Sequence, residues 1–266
     1  YRLWATAPDG EQVPISVVHR ADLDLTSPRG CVLYGYVSYE SSIDPGFSTS
    51  RLSVMDRGMI FAVAHVRGGG EMGRGWYDNG KQLTKKNTFT DFIACADELI
   101  ATGLTASDRL VAEGGSAGGM LMGAVANLAG DRFAGIQAIV PFVDPLTSML
   151  KPELPLTVTE WDEWGDPFHD PEVYEYMASY APYENVEAKD YPDILAVTSI
   201  NDTRVLYVEP AKWIARLREV ASGGEFLLKT DMSAGHGGVS GRYARWHQTA
   251  FEYAWTVHTA GGGRTE

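Results

Sequence analysis

Several features that would settle the class of this protein are scarce or missing. Its 266 residues include only two cysteines, Cys31 and Cys95. A disulfide framework is therefore excluded, and because both cysteines sit in apolar runs, free buried thiols are expected. No stretch approaches the roughly 18 consecutive apolar residues that a membrane-spanning helix needs. The opening Tyr1-Arg2-Leu3-Trp4 has no apolar signal-peptide core, and the chain does not begin with Met. A processed or excised piece of something longer is expected, and the pair of thiols suits the cytoplasm. Basic residues are few: 22 Lys and Arg stand against 35 Asp and Glu, for a net charge of -13. Nucleic acid is a poor partner for such a chain, because phosphate contacts need basic patches. The acidic balance would suit a cationic substrate, though solubility alone accounts for it. There is no internal repeat and no interdomain linker, and neither a metal nor a cofactor is expected.

What is present is an alternation of strand and helix patterns. Gln12 to Arg20 alternates apolar and polar positions, and Cys31 to Val37 and Met59 to Val66 read as buried strands. Phe89, Phe92, Ile93, Ala96, Leu99 and Ile100 recur at helical spacing over 89–102, and Gly103 ends that helix. Then follow a strand at 109–113, a helix from Ala117 to Ala129, and a strand from Gly135 to Pro141. Ile194–Ser199 and Glu225–Lys229 are further strands. Between them a helix starts at Glu209-Pro210, and after them a last helix runs from Arg242 to His258. This order implies a single α/β domain over residues 1–259, with a mainly parallel central sheet and helices on both faces. Residues 260–266 read as a disordered tail. Gly68 to Gly73 spells G-x-G-x-x-G, but loop chemistry is expected after it, whereas a dinucleotide site needs a helix to open there. Leu146 to Asp193 is rich in Pro, Trp, Tyr and acids and breaks the rhythm. Such excursions often cover or line a site.

The chemistry concentrates at Gly114-Gly-Ser116-Ala-Gly118. An apolar strand ends in glycines, presents a serine, and restarts as a helix, which fits the nucleophile elbow of the α/β-hydrolase fold. Serine needs a base to take its proton, and the base needs an orienting acid. In that fold the order is Ser, Asp, His, on loops after successive strands. Ser116, Asp202 and His236 satisfy it. His19 and His65 precede the serine, His169 precedes Asp202, and His247 and His258 fall within the last helix. Acyl transfer also needs oxyanion donors. The Ala117 N–H is one by elbow geometry. A tyrosine of Leu33-Tyr34-Gly35-Tyr36-Val37-Ser38-Tyr39 is a candidate for the second.

These residues, with Leu33–Tyr36, His65–Glu71, Lys86–Asp91, Gly114–Met122, Glu160–Gly165, Tyr180–Tyr183 and Gly235–Gly238, resemble the prolyl oligopeptidase family of serine peptidases, and its oligopeptidase B branch most closely. The resemblance runs nearly end to end. It implies an endopeptidase of short peptides with Ser116, Asp202 and His236 as triad, and with Tyr36 and Ala117 as oxyanion donors. It also implies Arg204 as a substrate-binding residue. The branch implies cleavage after Arg or Lys, with Glu160 and Asp162 receiving the basic side chain and Asp44 serving the next subsite. A β-propeller domain is implied as well, either in a longer parent or as a separate chain, and it is not in this sequence. Three positions depart from the family pattern. Val37 and Glu40 stand where glycine is usual, and Gly46 stands where a second loop acid would be. A prolyl-specific peptidase, an exopeptidase or a carboxylesterase fits the same elbow, and a non-enzymatic binding fragment is the reading from another class.

Overall fold

The structure, a computed structural model, describes residues 1–44 and 46–261. Its strands follow the inward–outward alternation of their apolar residues. In chain order the elements are β1 (Arg2–Thr6), β2 (Gln12–Val18), β3 (Cys31–Tyr34), α1 (Thr49–Met55), β4 (Ile60–Ala64), α2 (Arg74–Asp78), α3 (Lys86–Ala101) and β5 (Leu110–Gly115). There follow α4 (Ala117–Ala129), β6 (Gly135–Ile139), α5 (Pro145–Met149), α6 (Thr157–Trp164), α7 (Pro171–Ala178), β7 (Asp193–Ser199), α8 (Val208–Val220), β8 (Phe226–Asp231) and α9 (Arg242–Thr259). The eight strands form one sheet in the order β1-β2-β4-β3-β5-β6-β7-β8. β1 and β2 run antiparallel to their neighbours, and β4 to β8 are parallel.

Ile60, Ala62 and Ala64 of β4 join Phe89, Phe92 and Leu99 of α3, Met120 and Leu121 of α4, and Trp213 of α8 in the larger core. The residues between them, Phe61 and Val63, face the other way and pack with Val54 of α1 and with Tyr253 and Trp255 of α9. Each large side chain fully removed from water contributes about 1.5–3 kcal/mol, and the deeper cluster therefore carries most of the burial. Cys31 and Cys95 are free and buried. Among the described residues no helix is long and apolar enough to cross a membrane.

Four details differ from the sequence reading. β1 is an edge strand that only Ala5 anchors in the interior, so its apolar pattern is faint. A one-turn helix, α2, opens directly after Gly73, where loop chemistry was expected. The glycines there serve backbone contact: a Cβ on Gly68 would lie 2.3 Å from the Val37 carbonyl oxygen, and one on Gly80 would lie 2.1 Å from the Gly68 nitrogen. The excursion after β6 contains three short helices, α5 to α7. Ala260, assigned to the tail, is only 1% exposed and packs in the second core, because α9 carries its methyl against Met59 and Gly30. Residues 262–266 of the expected tail lie outside the described residues.

Candidate active site

The site gathers at the carboxyl ends of the parallel strands, where loops converge in open α/β sheets. Ser116 follows β5 with φ 55° and ψ -116°, a left-handed conformation that costs a non-glycine residue about 1–3 kcal/mol. The surroundings impose it. The Ser116 N–H donates to the Ile139 carbonyl at 2.8 Å, and the Ser116 carbonyl accepts from Gly119 at 2.8 Å and Phe142 at 3.1 Å. Gly114 and Gly118 make the crossing possible: a Cβ on Gly114 would sit 2.5 Å from the Gly118 oxygen, and one on Gly118 would sit 2.5 Å from the Gly35 oxygen.

Asp202 follows β7 and His236 follows β8. The imidazole Nδ1 lies 2.7 Å from Asp202 Oδ2, and Nε2 lies 3.1 Å from Ser116 Oγ. Asp202 Oδ1 accepts from the N–H groups of Arg204 at 2.9 Å and Val205 at 3.0 Å. Burial pushes this carboxyl up, but the hydrogen bonds from His236, Val205 and Arg204 outweigh it and hold it below the usual range. An anionic Asp202 favours the tautomer that leaves Nε2 free to accept the serine proton.

Ser116 opens on a cleft of about 440 Å³. Tyr36 and Ala117 line it beside the serine, Phe142, Met149, Leu154 and Leu156 supply apolar wall, Glu160 and Arg204 supply charge, and the buried Glu209 borders it. Burial raises the Tyr36 phenol, and the neighbouring Glu160 and Glu163 raise it further, so it stays a protonated donor. Glu160 Oε2 accepts from Tyr39 Oη at 2.5 Å and from Trp164 Nε1 at 2.8 Å, fixing the carboxylate at one wall. Arg204 is exposed, and its guanidinium makes no hydrogen bond among the described residues.

Two expected contributors do not join this group. Asp162 is exposed and lies off the cleft, because residues two apart on a helix face different ways. Asp44 is exposed on the loop before α1 and does not line the cleft either.

The bracing roles of four residues near the site escaped the sequence reading. Tyr39 fixes Glu160. Glu163, 3% exposed, accepts from the Tyr39 N–H at 3.0 Å and from Tyr77 Oη at 2.7 Å. Lys85, 1% exposed, donates to the Val37 carbonyl and Ser38 Oγ, each at 2.9 Å, and to the Gly80 carbonyl at 3.2 Å. Burial pushes its ammonium down to about 8. Glu209 accepts from the Asp144 N–H at 3.0 Å and from Ser148 Oγ at 2.7 Å. Its place beside Pro210 at a helix start marks it only as a first-turn acid. Among the described residues no cluster of His, Cys, Asp or Glu could hold a metal ion. A second serine–histidine–carboxylate set, Ser16, His65 and Glu71, lies outside the cleft. Glu71 there accepts from the Ile43 N–H at 3.0 Å, which ties down the loop before α1.

The sheet order and the elbow define the α/β-hydrolase fold. Residues 45–263 match the prolyl oligopeptidase family, and the chain belongs to that family. It is 51% identical to Protease 2 of Moraxella lacunata, over 98% of this chain and 38% of that protein. It is 47% identical to dipeptidyl aminopeptidase BI of Pseudoxanthomonas mexicana, over 98% of this chain and 36% of that one. Among solved structures, oligopeptidase B from Leishmania major superposes with a TM-score of 0.96 at 49% identity, over 98% of this chain and 36% of the other. The chain thus spans little more than a third of the length of these relatives.

Proposed function

We propose that this chain is the catalytic domain of a serine endopeptidase that cleaves short peptides after Arg or Lys. The observation that carries the reading is the hydrogen-bonded line Asp202–His236–Ser116 at the mouth of a cleft with apolar walls and a fixed carboxylate, Glu160. In the proposed reaction His236 Nε2 takes the proton of Ser116 as Oγ attacks the carbonyl carbon. The Tyr36 hydroxyl and the Ala117 N–H receive the oxyanion. The imidazolium then gives its proton to the departing amine, leaving an acyl-enzyme. A water deprotonated by the same imidazole attacks the ester, and Ser116 leaves with the proton. Phe142 and Met149 accommodate the methylenes of the basic side chain, and Glu160 receives its charge. Arg204, free to pair, holds a backbone carbonyl or a carboxylate of the peptide. Asp44, toward the solvent, remains the candidate for a further basic residue. The relatives' extra length leaves room for a propeller domain over the cleft. The free thiols suit a cytoplasmic location.

The test compares turnover of an Arg-anilide, a Pro-anilide and a short-chain ester, in wild type and in Glu160→Gln. A charge-assisted hydrogen bond is worth about 1.5–3 kcal/mol, so kcat/KM for the Arg substrate should fall by about 10- to 150-fold in the variant, with neutral substrates spared. Equal losses on all three would remove Glu160 from the pocket, and no preference for Arg in wild type would overturn the specificity. Labelling by a fluorophosphonate in wild type and not in Ser116→Ala separates an enzyme from a binding fragment. A second reading, dipeptidyl release, is favoured by the name of the Pseudoxanthomonas relative. It requires a free N-terminus two residues before the cut, so comparing blocked and unblocked dipeptidyl-anilides decides between the two.

A further inference from the structure

Tyr36 stands in a loop that would not hold its shape alone. Val37, Tyr39 and Glu40 all have positive φ, at 71°, 61° and 58°. None is a glycine, and Val37 is β-branched, the type least suited to that region. A backbone of this kind persists only where its surroundings over-determine it.

On one side the loop abuts the nucleophile helix. A Cβ on Gly118 would lie 3.1 Å from the Tyr36 Cα, so the first turn of α4, which carries the Ala117 N–H, touches the backbone that carries the phenol. On another side Glu163 grips the Tyr39 N–H. The backbone adds the Glu40 N–H donating to the Gly68 carbonyl at 3.2 Å, and a further hold comes from Lys85, in the turn just before α3. Its three ammonium donors are all used on this corner, at Val37 O, Ser38 Oγ and Gly80 O. Among the described residues it forms no ion pair, and its ammonium stands 5.1 Å from the Trp164 ring centroid. A buried lysine whose donors all go to neutral oxygens is rare and costly, even with the Glu163 charge offsetting part of that cost. If the corner needed only filling, a neutral residue would serve at less cost. The charged donor goes to the carbonyl immediately after the tyrosine, which fixes the Val37–Ser38 peptide plane.

We infer that Lys85 is a positioning residue for the oxyanion site: by holding the Val37 carbonyl and Ser38 it fixes the Tyr36 hydroxyl against the Ala117 N–H. The inference rests on the reading of Tyr36 as an oxyanion donor. It also explains how this chain manages without glycine at 37 and 40: side-chain donors and acceptors supply from outside the order that the backbone would not adopt by itself.

A double-mutant cycle on kcat tests it, in the protein at its native length and with an Arg-anilide as substrate. Removing an oxyanion donor costs roughly 100- to 1,000-fold in kcat, the loss expected for Tyr36→Phe. Lys85→Met, which keeps the chain length and removes the donors, should lower kcat by about 10- to 100-fold, a fraction of the donor's own worth, with KM little changed. In the Tyr36→Phe background the same lysine change should cost almost nothing, because the group it aims is gone. Equal losses in both backgrounds would overturn the inference while leaving Tyr36 as a donor. No loss in Tyr36→Phe would overturn that reading and this inference with it. Should Lys85→Met fail to fold, Ser38→Ala removes one of the three acceptors and keeps the lysine. Its smaller kcat loss must likewise vanish beside Tyr36→Phe, and a loss that persists there overturns the inference.

Discussion

Glu40 offers a direct measure of the backbone strain near the site. Its φ is 58°, and its exposed side chain pairs with Arg74 at 3.0 Å, the two side chains being 41% and 63% exposed. Compare Glu40→Gly with Glu40→Ala. Both lose the ion pair, which cancels in the difference. What remains is the backbone. A side chain in the left-handed region costs about 1–2 kcal/mol, which glycine escapes, while glycine gives up about 0.5–1 kcal/mol more chain entropy on folding. The glycine variant should therefore be the more stable by about 0.5–1 kcal/mol. In ordinary helix or strand backbone the order reverses, with alanine ahead by a similar amount, so the sign alone decides. At about 2–4 °C per kcal/mol for a domain near this size, thermal unfolding followed by circular dichroism should separate the two melting temperatures by one to a few degrees, and urea midpoints should agree. Turnover should be retained in both, since Lys85 and Glu163 hold the loop elsewhere. A glycine variant that melts below the alanine variant would refute the strain and, with it, the need for the clamp.

Three further outcomes are expected. Asp202→Asn should lower kcat by about 10,000-fold through loss of the productive imidazole tautomer, with KM and melting temperature little changed; a loss under tenfold would remove Asp202 from its role. Burial, with a contribution from Asp144, pushes the Glu209 carboxyl from 4.5 up to about 7. Between those values the folded protein holds a proton that the unfolded chain has released, so this group's contribution to stability is present at low pH and is lost as pH rises toward 7. Glu209→Gln should flatten the decline in unfolding free energy over that window, by up to about 3 kcal/mol, and parallel curves for the two proteins would refute it. In Gly119→Ala a Cβ would lie 2.3 Å from the Pro141 Cα and 2.4 Å from its Cβ. Overpacking there should cost about 1–3 kcal/mol and slow fluorophosphonate labelling, and an unchanged melting temperature would show that the elbow yields.

The central strands are legible in the sequence because both their faces are apolar. Leu110–Gly115 and Asp193–Ser199 lie within a residue or two of the segments read from composition. The order of Ser116, Asp202 and His236 follows from those strands, since each stands in the loop after one. The residues that brace the site are a different matter. Glu163 meets the Tyr39 N–H across 124 positions of chain, and Lys85 meets Val37 across 48. A buried polar residue looks like a surface one until its partner is known. Short helices such as α2 and α5 are hidden for a related reason: one turn has too few residues for a period to register. Asp162, two positions from Glu160, stands exposed and outside the cleft lining once α6 is seen to be a helix.

The way these groups are distributed over the sheet sets how the protein comes apart locally. The serine rests on β5, deep in the sheet, and the aspartate follows β7, whose residues from Ile194 to Ser199 are all buried. The histidine hangs from β8, the edge strand, where only Phe226 is buried, and it leads into α9, where Thr256 alone is buried. Amide hydrogens around His236 should thus exchange with solvent far sooner than those beside Ser116. Heat or mild denaturant is expected to release His236 first and leave Ser116 standing in an intact sheet. Loss of the proposed turnover should then precede global melting and reverse on cooling, because the strands that carry Ser116 and Asp202 are still folded.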